Sequence, residues 1–349
     1  MTGNDRAVAA GDIAYERRGA LGLIRLTRPR ALNAVTHDMV LSLTRRLTDW
    51  AADDGVASVA IVGEGRSFSA GGDIRAIYEW GMTGRPFDRF FADEYALNIT
   101  IKRFPKPYVA LMDGLAMGGG VGVSYHGSHR VVGERARFAM PECGIGFFPD
   151  VGGTYLLSRL PGALGLYLGL SGHRLGPAEQ LACGLATHYA PVDAHDAILD
   201  RLADGEDADG AVGTLACPGK AEFPEGAFTA FDAEPYAALH GFMSAHDHPS
   251  GDLHGTLATK SPTSLGVTAF LIPMAATRSF ERCMGLEARI AYRMLRRDDF
   301  YEGIRAAVIE KDGEPQWSPA SLDALEDEVI DDHFAQVHDG PLAAISALE

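Results

Sequence analysis

Two glycine-rich stretches, Ala70-Gly71-Gly72-Asp73 and Gly118-Gly119-Gly120, and two acids in Gly/Pro-rich loops, Glu142 and Asp150, are the residues of this 349-residue chain whose types and spacing suit chemistry. A glycine carries no Cβ to screen its peptide N–H, so each stretch can aim one backbone donor at a shared oxygen. Such donors stabilise the oxyanion of acyl transfer, each typically supplying roughly 10²–10³ in rate. A carboxylate nearby can act on the carbonyl as general base or nucleophile. The same residues have plainer readings: tight strand-to-helix packing for the glycines, solvated loop positions for the acids. Glu94 lies in a helical stretch before Pro105 and, on the residues alone, reads as a solvated helix position.

Other chemistries do not fit. Gly122-Val123-Ser124-Tyr125-His126-Gly127 is one residue too long for a nucleophile elbow. Gly63-Glu64-Gly65 lacks the third glycine of a dinucleotide fingerprint, and no GxxxxGK[ST] occurs. His246-Asp247-His248, with His254 nearby, reads as polar surface better than as a metal site, and no metal is expected. Arg28, Arg30, Arg66, Arg75, Lys102, Arg103 and Lys106 form a basic group in an acidic chain. It suits either solvated helix ends or a local anchor for phosphate.

The elements that must carry these loops follow from periodicity. Ile13–Arg18 and Leu21–Leu26, joined at Gly19-Ala20, predict a hairpin. Thr36 is an N-cap candidate for a helix whose apolar stripe is Met39, Val40, Leu43, Leu47 and Trp50. Strands are expected at 58–62, 107–112, 129–132 and 137–139, and a helix at 88–103. Strand, glycine loop and helix recur at irregular intervals, which predicts an α/β fold of stacked units. From 191 to 260 apolar periodicity weakens, and a variable connecting or lid region is expected there. Helices are expected at 264–271, 279–296 and 322–334. Phe280, Met284, Ile290 and Leu295 share one buried face of the second. The expected organisation is a core over 11–190, the connecting region 191–260 and a helical region 261–349.

Composition sets outer bounds. The chain has 46% hydrophobic and 22% charged residues, an ordinary globular balance. Its net charge of −16 repels phosphate backbones and anionic lipid, so neither nucleic acid nor a membrane surface is an expected partner. Cys143, Cys183, Cys217 and Cys283 are far apart, and together with a polar N-terminal stretch they suggest a reduced, cytoplasmic protein.

Ala31-Leu32-Asn33-Ala34, Phe68-Ser69-Ala70-Gly71-Gly72-Asp73-Ile74 and Met117-Gly118-Gly119-Gly120 resemble the crotonase (enoyl-CoA hydratase/isomerase) superfamily. Pro107–Gly114, Phe138–Glu142, Phe147–Gly153, Lys260–Leu265 and Glu302–Ala306 are similar to its hydrolase branch, which acts on 3-hydroxyisobutyryl-CoA in valine breakdown. The resemblance covers about 11–190 and 258–320. It implies a spiral of β–β–α units with a helical C-terminal region, an acyl-CoA substrate, and no cofactor, CoA being part of the substrate. It also implies a homo-oligomer, a trimer or hexamer.

By position the resemblance makes the amides of Gly72 and Gly119 the oxyanion donors and Glu142 the catalytic glutamate. Asp150 matches the aspartate that engages the 3-hydroxyl end, and Glu94 matches a further residue lining that site. Ala70, Gly71 and Gly119 fall among the substrate-binding positions. One departure separates branches: hydratases carry a second glutamate two positions after the glycine triplet, and here that position is Gly122. One acid plus an oxyanion hole suits thioester hydrolysis, with enoyl-CoA hydration or isomerisation as the alternative.

Overall fold

The structure is a computed structural model that describes residues 8–84, 88–224, 226–229, 231, 235–244 and 251–348. His246, Asp247 and His248 lie outside the described residues. The chain forms two compact units, each assembled from separated segments.

The first unit comprises Met1–Gly72, Ala96–Ala139 and Arg174–Glu222 and holds every strand described. Its strands are β1 (Val8–Ala10), β2 (Ile13–Arg18), β3 (Leu21–Leu26), β4 (Ser58–Gly63), β5 (Tyr108–Met112), β6 (Leu115–Met117), β7 (His129–Val132), β8 (Arg137–Ala139) and β9 (His188–Tyr189). Seven form one sheet in the order β1-β2-β3-β4-β5-β7-β9, and β6 pairs with β8 in a second. The first three strands run antiparallel, with the expected hairpin register Ile13↔Leu26 to Arg18↔Leu21. From β3 onward pairing is parallel, Leu23 opposite Ala60 and Ala60 opposite Val109. Parallel strands are covered on both faces and so read as unbroken apolar runs, which is why Ser58–Val62 and Tyr108–Met112 stood out.

Alternation along β3 sends its residues to opposite faces. Leu21 and Leu23 join Ala60, Val62, Val109, Leu111 and Val131 in a cluster completed by Ile198, Leu199, Leu202, Ala208 and Val212. Gly22 faces the other way, where a Cβ would come within 2.7 Å of the Trp50 ring. Trp50 ends the buried stripe of the helix His37–Ala52, whose N-cap Thr36 accepts from the Met39 amide as expected. The stretch after 191 is more regular than its weak periodicity implies. Helices His195–Ala203 and Ala208–Val212 supply the outer layer of that cluster. They are too short to repeat a stripe over several turns.

The second unit, Asp73–Tyr95, Met140–His173 and Phe223–Glu349, is helical throughout its regular structure. Its longest helices are Pro262–Ala275 and Phe280–Met294, each capped by a serine, Ser261 and Ser279, whose side chain accepts a backbone N–H. Phe280, Met284, Ile290 and Leu295 are buried as expected. A helix over Asp88–Lys102 runs through the boundary between the two sets of segments.

Candidate active site

In the sheet unit, the two glycine stretches lie side by side because a parallel bridge joins the segments just before them. Ser69 bridges Ala116: its amide donates to Leu115 O (2.9 Å) and its carbonyl accepts from Met117 N–H (3.1 Å). Gly71 has φ +115°, open in practice only to glycine, and a Cβ there would stand 3.4 Å from Met117 O and 3.9 Å from Gly119 N. Gly120 must also lack a Cβ, which would fall 2.5 Å from Ser69 O. The first loop is held from its other side by residues 32–35. Ala70 N–H donates to Leu32 O (2.9 Å), and Val35 N–H donates to Gly71 O (2.8 Å).

Asn33 explains why that segment is shaped as it is. It is fully buried with φ +55°, a conformation that asparagine tolerates better than most residues. Its Nδ2 donates to Glu64 O and Ser67 O, and its Oδ1 accepts from Arg28 N–H. Among the described residues, neither the Gly72 amide nor the Gly119 amide donates to a protein oxygen. Gly119 opens the four-residue helix Gly119–Gly122, where the first N–H groups have no acceptor within the helix. Gly122 closes that helix and is buried.

In the helical unit, burial dominates. Glu142, Asp150 and Glu94 are 6%, 5% and 2% exposed, so none is a solvated acid. For Glu94 this corrects the reading made from the residues alone. The helix Asp88–Lys102 also buries Phe90, Phe91 and Tyr95 beside it, so its charged positions do not all lie on a wet face.

Glu142 opens a 3₁₀ turn, Glu142–Ile145, fixed by close glycine contacts. A Cβ on Gly303 would meet the Ile145 carbonyl carbon at 2.3 Å, and one on Gly146 would meet Asp299 O at 2.1 Å. The helix Asp298–Ile304 therefore rests directly on the backbone that carries Glu142, which accounts for glycine in Glu302-Gly303-Ile304. Phe147 continues the wall, its ring 5.5 Å from Phe91 and 5.3 Å from Phe300.

Asp150 Oδ2 accepts from Tyr95 Oη at 2.9 Å. Val151 and Gly152 follow with φ +52° and +79°. A buried β-branched residue in the left-handed region is strained, at a cost on the order of 1–3 kcal/mol, and persists only when its surroundings force it. The residues that follow it are held by Glu287, fully buried on the helix Phe280–Met294. Its Oε2 accepts from Gly152 N–H (2.7 Å) and its Oε1 from Thr154 N–H (3.2 Å) and the Thr154 hydroxyl.

Burial raises all four acids. It lifts the Asp150 carboxyl to about 7 against the opposing hydrogen bond from Tyr95, and that of Glu287 to about 8. Glu94 and Glu142 stand well above the usual carboxylate range, through desolvation first and the nearby Asp150 charge second. Glu94 Oε1 and Glu142 Oε2 are buried without a hydrogen-bond partner. Unpaired buried oxygens of this kind are expensive in a core and common where a ligand completes them. Tyr95, Thr154 and Glu287 escaped the sequence reading. Glu287 had a signal, being a charge three residues from both Met284 and Ile290 on a buried stripe.

The basic group is partly spoken for. Lys106 Nζ donates to the carbonyls of Trp50 and Asp53 at the end of a helix, Arg28 pairs with Asp12, and Arg75 donates to Val308 O. Arg30 and Arg66 are exposed.

A sequence profile of the enoyl-CoA hydratase/isomerase family matches residues 21–334. The chain belongs to this family. Among curated members of the enoyl-CoA hydratase/isomerase family's relatives, the mitochondrial 3-hydroxyisobutyryl-CoA hydrolase of Danio rerio is 37% identical, covering 96% of this chain and 92% of that one. The enzyme of the same name from Homo sapiens is 35% identical, over 93% and 89%. Among solved structures, a carnitinyl-CoA dehydratase from Mycobacterium thermoresistibile superposes with a TM-score of 0.84 at 39% identity, covering 93% of this chain and 97% of that one. An enoyl-CoA hydratase from Rhodobacter sphaeroides gives 0.82 at 37%, with the same coverage. The fold is therefore the α/β fold of the crotonase family expected from the sequence. Among the described residues no helix is long and apolar enough to cross a membrane.

Proposed function

We propose that this chain hydrolyses an acyl-CoA thioester, with 3-hydroxyisobutyryl-CoA cleaved to 3-hydroxyisobutyrate and CoA. The amides of Gly72 and Gly119 are read as the donors that meet the negative charge developing on the thioester oxygen. Glu142 either takes a proton from the attacking water or itself attacks the carbonyl carbon. In the second route the carbon–sulfur bond breaks, CoA leaves as thiolate, and the water that hydrolyses the mixed anhydride supplies the proton that converts it to thiol. Asp150 and Glu94 are read as the acids that receive the substrate's 3-hydroxyl, and Ala70 and Gly71 as lining the bound thioester. No cofactor enters this scheme.

The observation that carries the reading is Gly122. Adding water across a double bond needs an acid and a base to handle two protons, and a glycine here leaves Glu142 without the second glutamate of the hydratases. The names of the two solved neighbours favour the other reading, hydration or dehydration of an acyl-CoA. Acyl-CoA esters assayed in parallel for thiol release and for loss of the enoyl chromophore separate the two. Thiol release from 3-hydroxyacyl-CoA supports hydrolysis; chromophore loss from crotonyl-CoA without thiol would replace it with hydration.

The curated relatives are mitochondrial by name, and a cytoplasmic place for this chain is a separate proposal, tested by cell fractionation. A trimer or hexamer is proposed from the resemblance alone and is read by sedimentation.

A further inference from the structure

We infer that Glu287 is a positioning residue: it fastens the left-handed turn that follows Asp150, and so sets where that carboxylate meets the substrate's 3-hydroxyl. The inference rests on the role proposed above for Asp150.

Three features of the turn require an outside clamp. Val151 and Gly152 are consecutive left-handed residues directly after Asp150, and a buried valine does not adopt that conformation unaided. The short helix Gly153–Leu157 then starts with no side-chain cap of its own, because its cap residue is Gly152. The N–H groups of Gly152 and Thr154 are instead received by one carboxylate 135 and 133 residues away, and the Thr154 hydroxyl adds a third donor. Both oxygens of Glu287 are thereby engaged, and the residue is fully buried.

The opposite end of the same turn is tied by Gly153 N–H donating to Asp150 O at 2.6 Å, and the Asp150 carboxylate is tied by Tyr95. Asp150 is thus held through its side chain by one residue and through its following backbone by another. A chain that lost the Glu287 clamp would relax at Val151, the strained residue next to Asp150. Displacement of a substrate-positioning group by about 1 Å can lower a rate by about 10²-fold.

A structural role alone would lower activity on every substrate alike, so the test compares two. The value of kcat/KM is measured for a 3-hydroxyacyl-CoA and for the matching acyl-CoA without the hydroxyl, in the parent, Asp150→Asn, Glu287→Gln and Thr154→Val proteins, with melting temperatures alongside. The expected result is a 10- to 100-fold loss on the hydroxylated ester for Glu287→Gln, with the other ester changed less than about threefold. Thr154→Val shows a smaller loss of the same selectivity, which Thr154→Ser restores. Glu287→Gln adds no further selective loss to Asp150→Asn. Thr154→Val carries the test if Glu287→Gln does not fold. Equal losses on both esters, with Asp150→Asn still selective, overturn the positioning role. An Asp150→Asn protein that does not distinguish the esters overturns the reading of Asp150 and this inference with it.

Discussion

Tyr95 donates its phenolic hydrogen to Asp150 Oδ2 at 2.9 Å, both residues being buried and the tyrosine fully so. The bond favours the ionised aspartate and opposes the burial that lifts its carboxyl to about 7. Tyr95→Phe keeps the ring and removes the donor. The Asp150 carboxyl then moves further up, and any limb of the pH–rate profile that reports it moves to higher pH. At pH 7 the value of KM for a hydroxylated ester is expected to rise by about 10-fold, from the loss of one hydrogen bond to a charged group. An unchanged profile would show that the phenol does not govern this acid.

Glu142 must be ionised to act as base or nucleophile, and burial holds its carboxyl well above the usual range. Activity is therefore expected to rise with pH along a limb lying well above the pH at which an exposed glutamate titrates. Glu142→Gln keeps the shape and is expected to lower kcat by about 10²–10⁴. Full activity in that variant would remove Glu142 from the chemistry.

Gly303 allows the helix Asp298–Ile304 to sit on the turn that bears Glu142. Gly303→Ala places a methyl group where the backbone of Ile145 already is, and overpacking of this kind costs typically about 1–3 kcal/mol. The variant is expected to melt earlier and to lose kcat, since backbone must yield. Gly241→Ala, at a helical glycine with nothing within 4 Å of the added Cβ, is the control that changes neither.

Stability is expected to fall as pH rises. Asp150 and Glu287, with carboxyls raised to about 7 and about 8, bind protons in the fold that the unfolded chain releases near pH 4. The folded state therefore holds more protons across that window. The stabilisation is complete below about pH 4 and is lost as pH climbs through 7 and 8. Thermal melts from pH 5 to 8.5 should show a declining midpoint, less steep in Glu287→Gln. A midpoint that climbs across the window, with the variant parallel to the parent, contradicts this assignment.

What could be read in advance follows the length and regularity of each pattern. The stripe Met39, Val40, Leu43, Leu47, Trp50 repeats over about three turns behind a capping Thr36, and its helix lies where expected. The runs Ser58–Val62 and Tyr108–Met112 are covered on both faces and read as strands for that reason. Of the short pair, β8 lies at 137–139 as expected, whereas β6, also three residues long, has too few positions to show a period. Glu94 reads as a wet position until Phe90, Phe91 and Tyr95 are seen to be buried around it. The left-handed Val151 had no local signal at all: the residues that follow it are held by Glu287, and propensity counts only neighbours in sequence.

The hydrogen bonds from Gly152 and Thr154 to Glu287 also order events during synthesis. A ribosome delivers residue 287 long after residue 150, and until it does the amides of Gly152 and Thr154 lack the carboxylate that receives them. A nascent chain can thus complete its sheet while the aspartate's turn stays unset, so competence arrives late and all at once, and a fragment ending before Phe280 should bind no hydroxylated ester.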